Sequence, residues 1–224
     1  MTGTELKLAD KQGHDVWKHV ELSDCGDVLM NAELNTRYLQ QPVEGLFVFR
    51  HNRQAWEVLG QPGQEFGQPP QPIRSVSHGS INRHGQVTFV LNMETSKRFE
   101  TTSRLLRIEP DGAVQILNRD GDRAVGGTTL RSFGEPRILA SGQVVFTAVP
   151  ESFEPTDRDP SAIAISDGRQ LVVVATSSAW QKALPKFREL LSPEFKAADS
   201  GHVGICFNWS PFDNALLLAT PQFR

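Results

Sequence analysis

The stretch INRHGQVTFVLNM, residues 81–93, carries a glycine followed two residues later by a valine that opens an apolar run. Three other stretches share the pattern: LSDCGDVLMNAEL (22–34), ILASGQVVFTAVP (138–150) and AADSGHVGICFNW (197–209). Their glycines, Gly26, Gly85, Gly142 and Gly201, stand 59, 57 and 59 residues apart. One G-x-V means nothing. Four at near-constant spacing, each opening an alternating run, predict a structural unit used four times.

A second strand is expected at a fixed offset from each glycine, in GLFVFRHN (45–52), RLLRIEPD (104–111) and AIAISDG (162–168). A third follows across a tight turn, in QAWEVLG (54–60), AVQILNR (113–119) and QLVVVAT (170–176). The turns contain His51-Asn52-Arg53, Asp111-Gly112 and Asp167-Gly168. Asp-Gly between alternating apolar runs is a strong hairpin signal, so these acidic residues read as turn chemistry and not as calcium ligands. The Gly-rich passages at 60–80 and 121–136 are expected to cross to the next unit through a short outer strand. Each unit is then a sheet of three or four antiparallel strands, and radial stacking buries the sheet faces. The predicted fold is all-β, a four-bladed β-propeller in a single domain spanning residues 1–224.

The fourth copy stops after its second strand, NALLLAT (214–220). ELKLADKQG (5–13) resembles AVQILNRDGD (113–122), so residues 4–12 are expected to supply the missing strand beside 215–220 and close the ring. A helical insertion is expected at about 178–194, with Trp180, Leu184, Phe187 and Leu191 near helical spacing.

The passage GDRAVGGTTLRSFGEPRILASGQVVFTA, Gly121 to Ala148, resembles the repeat of bacterial tandem-repeat β-propeller proteins, and SINRHGQVTFV, Ser80 to Val90, is similar to its latter part. That resemblance implies a propeller. Members are commonly exported, but the polar N-terminus here lacks the apolar core of a signal peptide. The expected location is therefore cytoplasmic; a secreted protein would need a leader since removed.

Formal net charge is −3, with 38% hydrophobic and 22% charged residues. Without concentrated positive charge the chain is not expected to bind nucleic acid, nor an anionic membrane surface. No run approaches the ~18 apolar residues of a membrane span. The two cysteines, Cys25 and Cys206, are expected as buried free thiols. No cofactor and no metal are expected.

If the first strand of each copy lines a channel, Asn31, Glu33, Asn92, Thr147 and Asn208 converge there, and could hold a small polar ligand or ordered waters. The loops that follow, at 35–44, 94–103, 151–161 and 210–214, should share one face, with Tyr38, Arg98, Phe99 and Trp209 as binding residues. The six histidines look scattered, and no metalloprotease, nucleophile-elbow, P-loop or zinc spacing occurs. The chain therefore reads as a non-catalytic protein that holds a protein, a peptide or a small polar ligand. Two other readings are a hydrolase or lyase acting at the polar channel mouth, and a carbohydrate-binding propeller with Tyr38, Phe99 or Trp209 stacking on a sugar.

Overall fold

The computed structural model describes residues 17–34, 43–97, 100–152, 162–176, 194–197, 203–210 and 213–219. Every regular element among them is a β-strand, and none of the described residues forms a helix able to cross a membrane. The first sheet runs β1 (Trp17–Leu22), β2 (Val28–Leu34), β3 (Val43–Arg50), β4 (Ala55–Gly60), in spatial order. The second contains β5 (Glu65–Phe66), β6 (Gln71–Val76), β7 (Ser80–Ile81), β8 (Val87–Glu94), β9 (Thr101–Ile108) and β10 (Val114–Arg119). Its order is β10-β9-β8-β6-β5, with β7 also on β8. In the third, β11 (Leu130–Arg131) and β12 (Pro136–Ile138) both pair β13 (Val144–Pro150), followed by β14 (Ala162–Ser166) and β15 (Leu171–Thr176). The fourth holds β16 (Glu194–Ala197), β17 (Val203–Ser210) and β18 (Asp213–Ala219). All ladders are antiparallel.

The glycine stretches make one kind of loop. The Ser23 N–H bonds the Asp27 carbonyl and the Gly26 N–H bonds the Ser23 carbonyl. The same pair of bonds recurs at Asn82/Gln86 with Gly85, and at Leu139/Gln143 with Gly142. The three glycines have φ of 85°, 77° and 81°, which L side chains adopt only with strain. Asp111 and Asp167 bond backbone N–H groups of their own turns, as expected of turn aspartates.

Two expectations are corrected. The glycine-valine strands β2, β8, β13 and β17 are not the first of their sheets. The Gly-rich passages fold back antiparallel onto the copy that follows, so a leading strand (β1, β6/β7, β11/β12 or β16) stands outside each. β8 is therefore an interior strand buried on both faces: Thr88 and Val90, on the side expected to line a channel, are fully buried. Cys25 is also corrected, being exposed beside the Ser23 hydroxyl at its turn. Glu194 belongs to strand β16, whereas the rest of the expected helical insertion, and residues 4–12, lie outside the described residues.

The first three sheets stack face to face in sequence. Leu29, Leu46 and Val48 of the first pack with Ile73, Phe89, Leu91 and Met93 of the second. Val90, Leu105 and Leu117 of the second pack with Phe133, Val144 and Phe146 of the third. Each such side chain contributes about 1.5–3 kcal/mol when fully buried. The leading strands also meet: β1 touches β7, β7 touches β12, and β12 touches β16.

An arginine pins each of the first two stacks. Arg50, fully buried at the end of β3, donates from Nη1 to Asp27 Oδ2 at 2.8 Å and to the Gly85 carbonyl of the next sheet at 2.6 Å. Asp27 accepts the His51 N–H on its other oxygen. Arg50 Nε lies 3.6 Å from Glu57 Oε2, within ion-pair range but too far for a hydrogen bond. Arg107 of β9 repeats the reach, donating to the Gly142 carbonyl at 2.7 Å. Removing Asp27 would leave the buried Arg50 charge with only the longer Glu57 contact. Asp27→Ala is expected to cost about 3 kcal/mol, while Glu100→Ala, breaking the exposed pair with Lys97, should cost no more than about 0.5 kcal/mol. Urea unfolding of both variants measures the difference.

Candidate functional site

The first three leading strands are irregular at one level. The β1–β2 register shifts between Trp17 and His19, β6 and β7 are separated by residues 77–79, and β11 and β12 by residues 132–135. Such breaks re-aim side chains and are common beside functional sites. His19, His78 and Glu135 all fall at this level, each seven residues before its glycine, and Glu194 holds the same place in the fourth copy. Two residues further on, on the same side of the strand, come Glu21, Ser80, Arg137 and Lys196. Pairing confirms the correspondence: Glu21 stands opposite Leu29, Ser80 opposite Thr88, Arg137 opposite Val145 and Lys196 opposite Gly204, each three residues after a repeat glycine.

These side chains join across sheets. Glu21 Oε1 accepts from Arg137 Nη1 and pairs with His19 Nε2 at 2.9 Å, while its Oε2 accepts the Ile81 N–H at 2.8 Å. One carboxylate thus ties β1, β7 and β12. His78 Nδ1 meets Glu135 Oε1 at 2.7 Å, a pair shared between the second and third sheets. The two imidazole centroids are 5.7 Å apart. An ionised carboxylate can only accept, so the hydrogens sit on His19 Nε2 and His78 Nδ1. That leaves His19 Nδ1 and His78 Nε2 as the atoms able to meet a ligand.

Of the residues singled out from the sequence, Asn31 joins this cluster in a supporting role. It is 6% exposed, donates to the Ser77 carbonyl at 3.4 Å and accepts the Gly79 N–H at 3.3 Å, bracketing His78. The Thr147 carbonyl accepts the Gly134 N–H at 2.8 Å, holding the segment that presents Glu135. Asn92 is elsewhere, bonded to Ser75 and Ser103. Glu33 stands opposite Glu44, Asn208 opposite Asn214, and Trp209 lies within β17. Tyr38, Arg98 and Phe99 lie outside the described residues.

Sequence reasoning missed His19, Glu21, His78, Glu135 and Arg137. The histidines that looked scattered are register equivalents, and their fixed offset from the repeat glycines was the available signal. No group of three or more histidine, cysteine, aspartate or glutamate side chains among the described residues is arranged to hold a metal ion.

Residues 21–204 match a family described as "Family of unknown function (DUF7453)". The chain belongs to this family. The DUF7453 segment opens at Glu21 itself and takes in His78, Glu135 and Arg137. No curated protein matches this DUF7453 chain. Among solved structures it is similar to an endo-arabinase from Bacteroides thetaiotaomicron, at 10% identity and a TM-score of 0.41, covering 95% of this chain and 77% of the other. A likeness that low carries no argument about fold or activity.

Asp120, on the turn after β10, braces the neighbouring wall. Its oxygens accept the Ser103 N–H at 2.7 Å and the Ser132 N–H at 2.8 Å. Burial raises its pKa, opposed by those two bonds, the Thr102 hydroxyl and the charge of Arg131. A raised acid binds its proton more tightly folded than unfolded, so its contribution to stability is fully present below the unfolded pKa and is lost as pH rises through the folded one. Asp120→Asn should therefore flatten the fall in stability above the unfolded value of 3.8. Urea unfolding across that pH range reads this, and an unchanged slope would refute it.

Proposed function

We propose that the four sheets are the blades of a four-bladed β-propeller, closed by residues 4–12 pairing beside β18, and that the protein is a non-catalytic binder of a small polar ligand at the mouth of the ring. The sequential face-to-face stacking and the meeting of the leading strands support the ring. Closure predicts that the amides of residues 4–12 are protected from hydrogen exchange to the same degree as those of β18. Exchange at the rate of an unfolded chain would sink it.

The observation that carries the binding reading is the shared break in three leading strands, each presenting an ionisable side chain: His19, His78 and Glu135. Polar groups that converge on a rigid scaffold while keeping uncommitted atoms are what a small-ligand site needs. β2, β8 and β13 end beside this level, because they run antiparallel to the leading strands. The chain therefore leaves β2 and β8 at this same end, towards the stretches that contain Tyr38, Arg98 and Phe99 in the sequence. Location in the cytoplasm and the lack of a nucleic-acid or membrane partner remain part of this reading, supported by charge and composition alone.

The His78–Glu135 pair favours a second reading. A carboxylate that fixes Nδ1–H leaves Nε2 as a base, which would suit a hydrolase or lyase at the same mouth. One experiment separates the two. Protein purified from its host is examined by native mass spectrometry beside a His78→Ala/Glu135→Ala variant. Neither side chain is buried, so the variant should fold. A small molecule retained by wild type, lost by the variant and recovered chemically unchanged supports binding. A molecule converted on incubation supports the enzyme. No retained molecule, and no thermal shift with sugars, amino acids or hydroxy acids, overturns both.

A further inference from the structure

A second polar hollow, of about 380 Å³, opens between the second and third sheets. Arg74, Ser75, Asn92, Thr101, Ser103 and Ser132 line it, with Phe133 at its side. We propose that it is an oxyanion site, taking the carboxylate, phosphate or sulfate group of a small ligand.

Ser103 Oγ donates to Asn92 Oδ1 at 2.8 Å, and Asn92 Nδ2 donates to Ser75 Oγ at 3.0 Å. That chain fixes the amide and spends the Ser75 oxygen as an acceptor. The Ser75 hydroxyl hydrogen and the second Nδ2 hydrogen of Asn92 are then left to donate. The hydroxyls of Thr101 and Ser132 have no partner among the described residues and can turn their hydrogens inward. Arg74 adds a guanidinium that is exposed and, among the described residues, in no hydrogen bond or ion pair. Arg50, Arg107 and Arg137, by contrast, each hold a carboxylate.

No carboxylate lines the hollow. The acid nearest in the chain of bonds, Asp120, spends both oxygens on the Ser103 and Ser132 N–H groups, and Ser132 is held at φ 51° in that arrangement. A wall offering several donors and a guanidinium charge, with no carboxylate on it, matches a group that only accepts.

The site is independent of the His78–Glu135 reading and is tested apart from it. Inorganic phosphate, sulfate and citrate are titrated separately into 15N-labelled protein, with shifts followed at Ser75, Asn92, Thr101 and Ser132. Saturable shifts confined to these residues are expected, weakened about tenfold or more in Arg74→Gln. Arg169→Gln, an exposed arginine of the third sheet, and His78→Ala should leave them unchanged. Tighter citrate than phosphate or sulfate assigns a carboxylate ligand, and the reverse assigns a tetrahedral one. Shifts that do not saturate, or that survive Arg74→Gln, overturn the proposal.

Discussion

The carbonyl of a left-handed glycine, received by an arginine from the preceding sheet, is the constraint on which the rest of the structure rests. Gly85 must turn left for its three-residue loop to close, and that turn lays its carbonyl against Arg50. A Cβ at Gly85 would come within 2.8 Å of Asp27 Oδ2 and 3.1 Å of Cys25 Sγ, so the approach of the two sheets also demands glycine. The arginine is not the main source of stability. Buried phenylalanines and leucines between the sheets supply far more, at about 1.5–3 kcal/mol each. Apolar contact alone tolerates sliding, however. A charged bond to one carbonyl does not, and it fixes how the second sheet sits on the first and the third on the second.

Much of this was legible in the sequence. The loop glycines declare themselves because no other residue takes their conformation cheaply, and the hairpins β2–β3, β8–β9 and β13–β14 follow at set distances. The leading strands were hidden. β6 and β7 are split by three residues, β11 and β12 by four, and the Gly- and Pro-rich text around them reads as a crossing. Their consequence was visible all the same. VTFVL in β8 and VVFTAV in β13 are apolar on both faces, the mark of a strand covered on both sides.

The candidate site was obscured for a different reason. Its positions are equivalent but its side chains are not: histidine, histidine and glutamate at one level, and glutamate, serine and arginine at the next. A comparison of residue types passes over such a set. A comparison of distance from the loop glycine finds it at once. Asn31 was found from the sequence because it is polar on an otherwise apolar strand. Its actual work, holding the backbone around His78, depends on a segment 46 residues away.

The Glu21–Arg137 pair spans 116 residues of chain and connects the first sheet to the third. In a stack where each unit met only its neighbours, sheets could add one at a time and their stabilities would be nearly additive. This bond adds a contact beyond nearest neighbours and so reduces that independence. The first sheet cannot complete its polar contacts until the third has formed, so loop closure over half the chain precedes the reward. A contact of that sequence separation raises the contact order of assembly, the direction that slows folding.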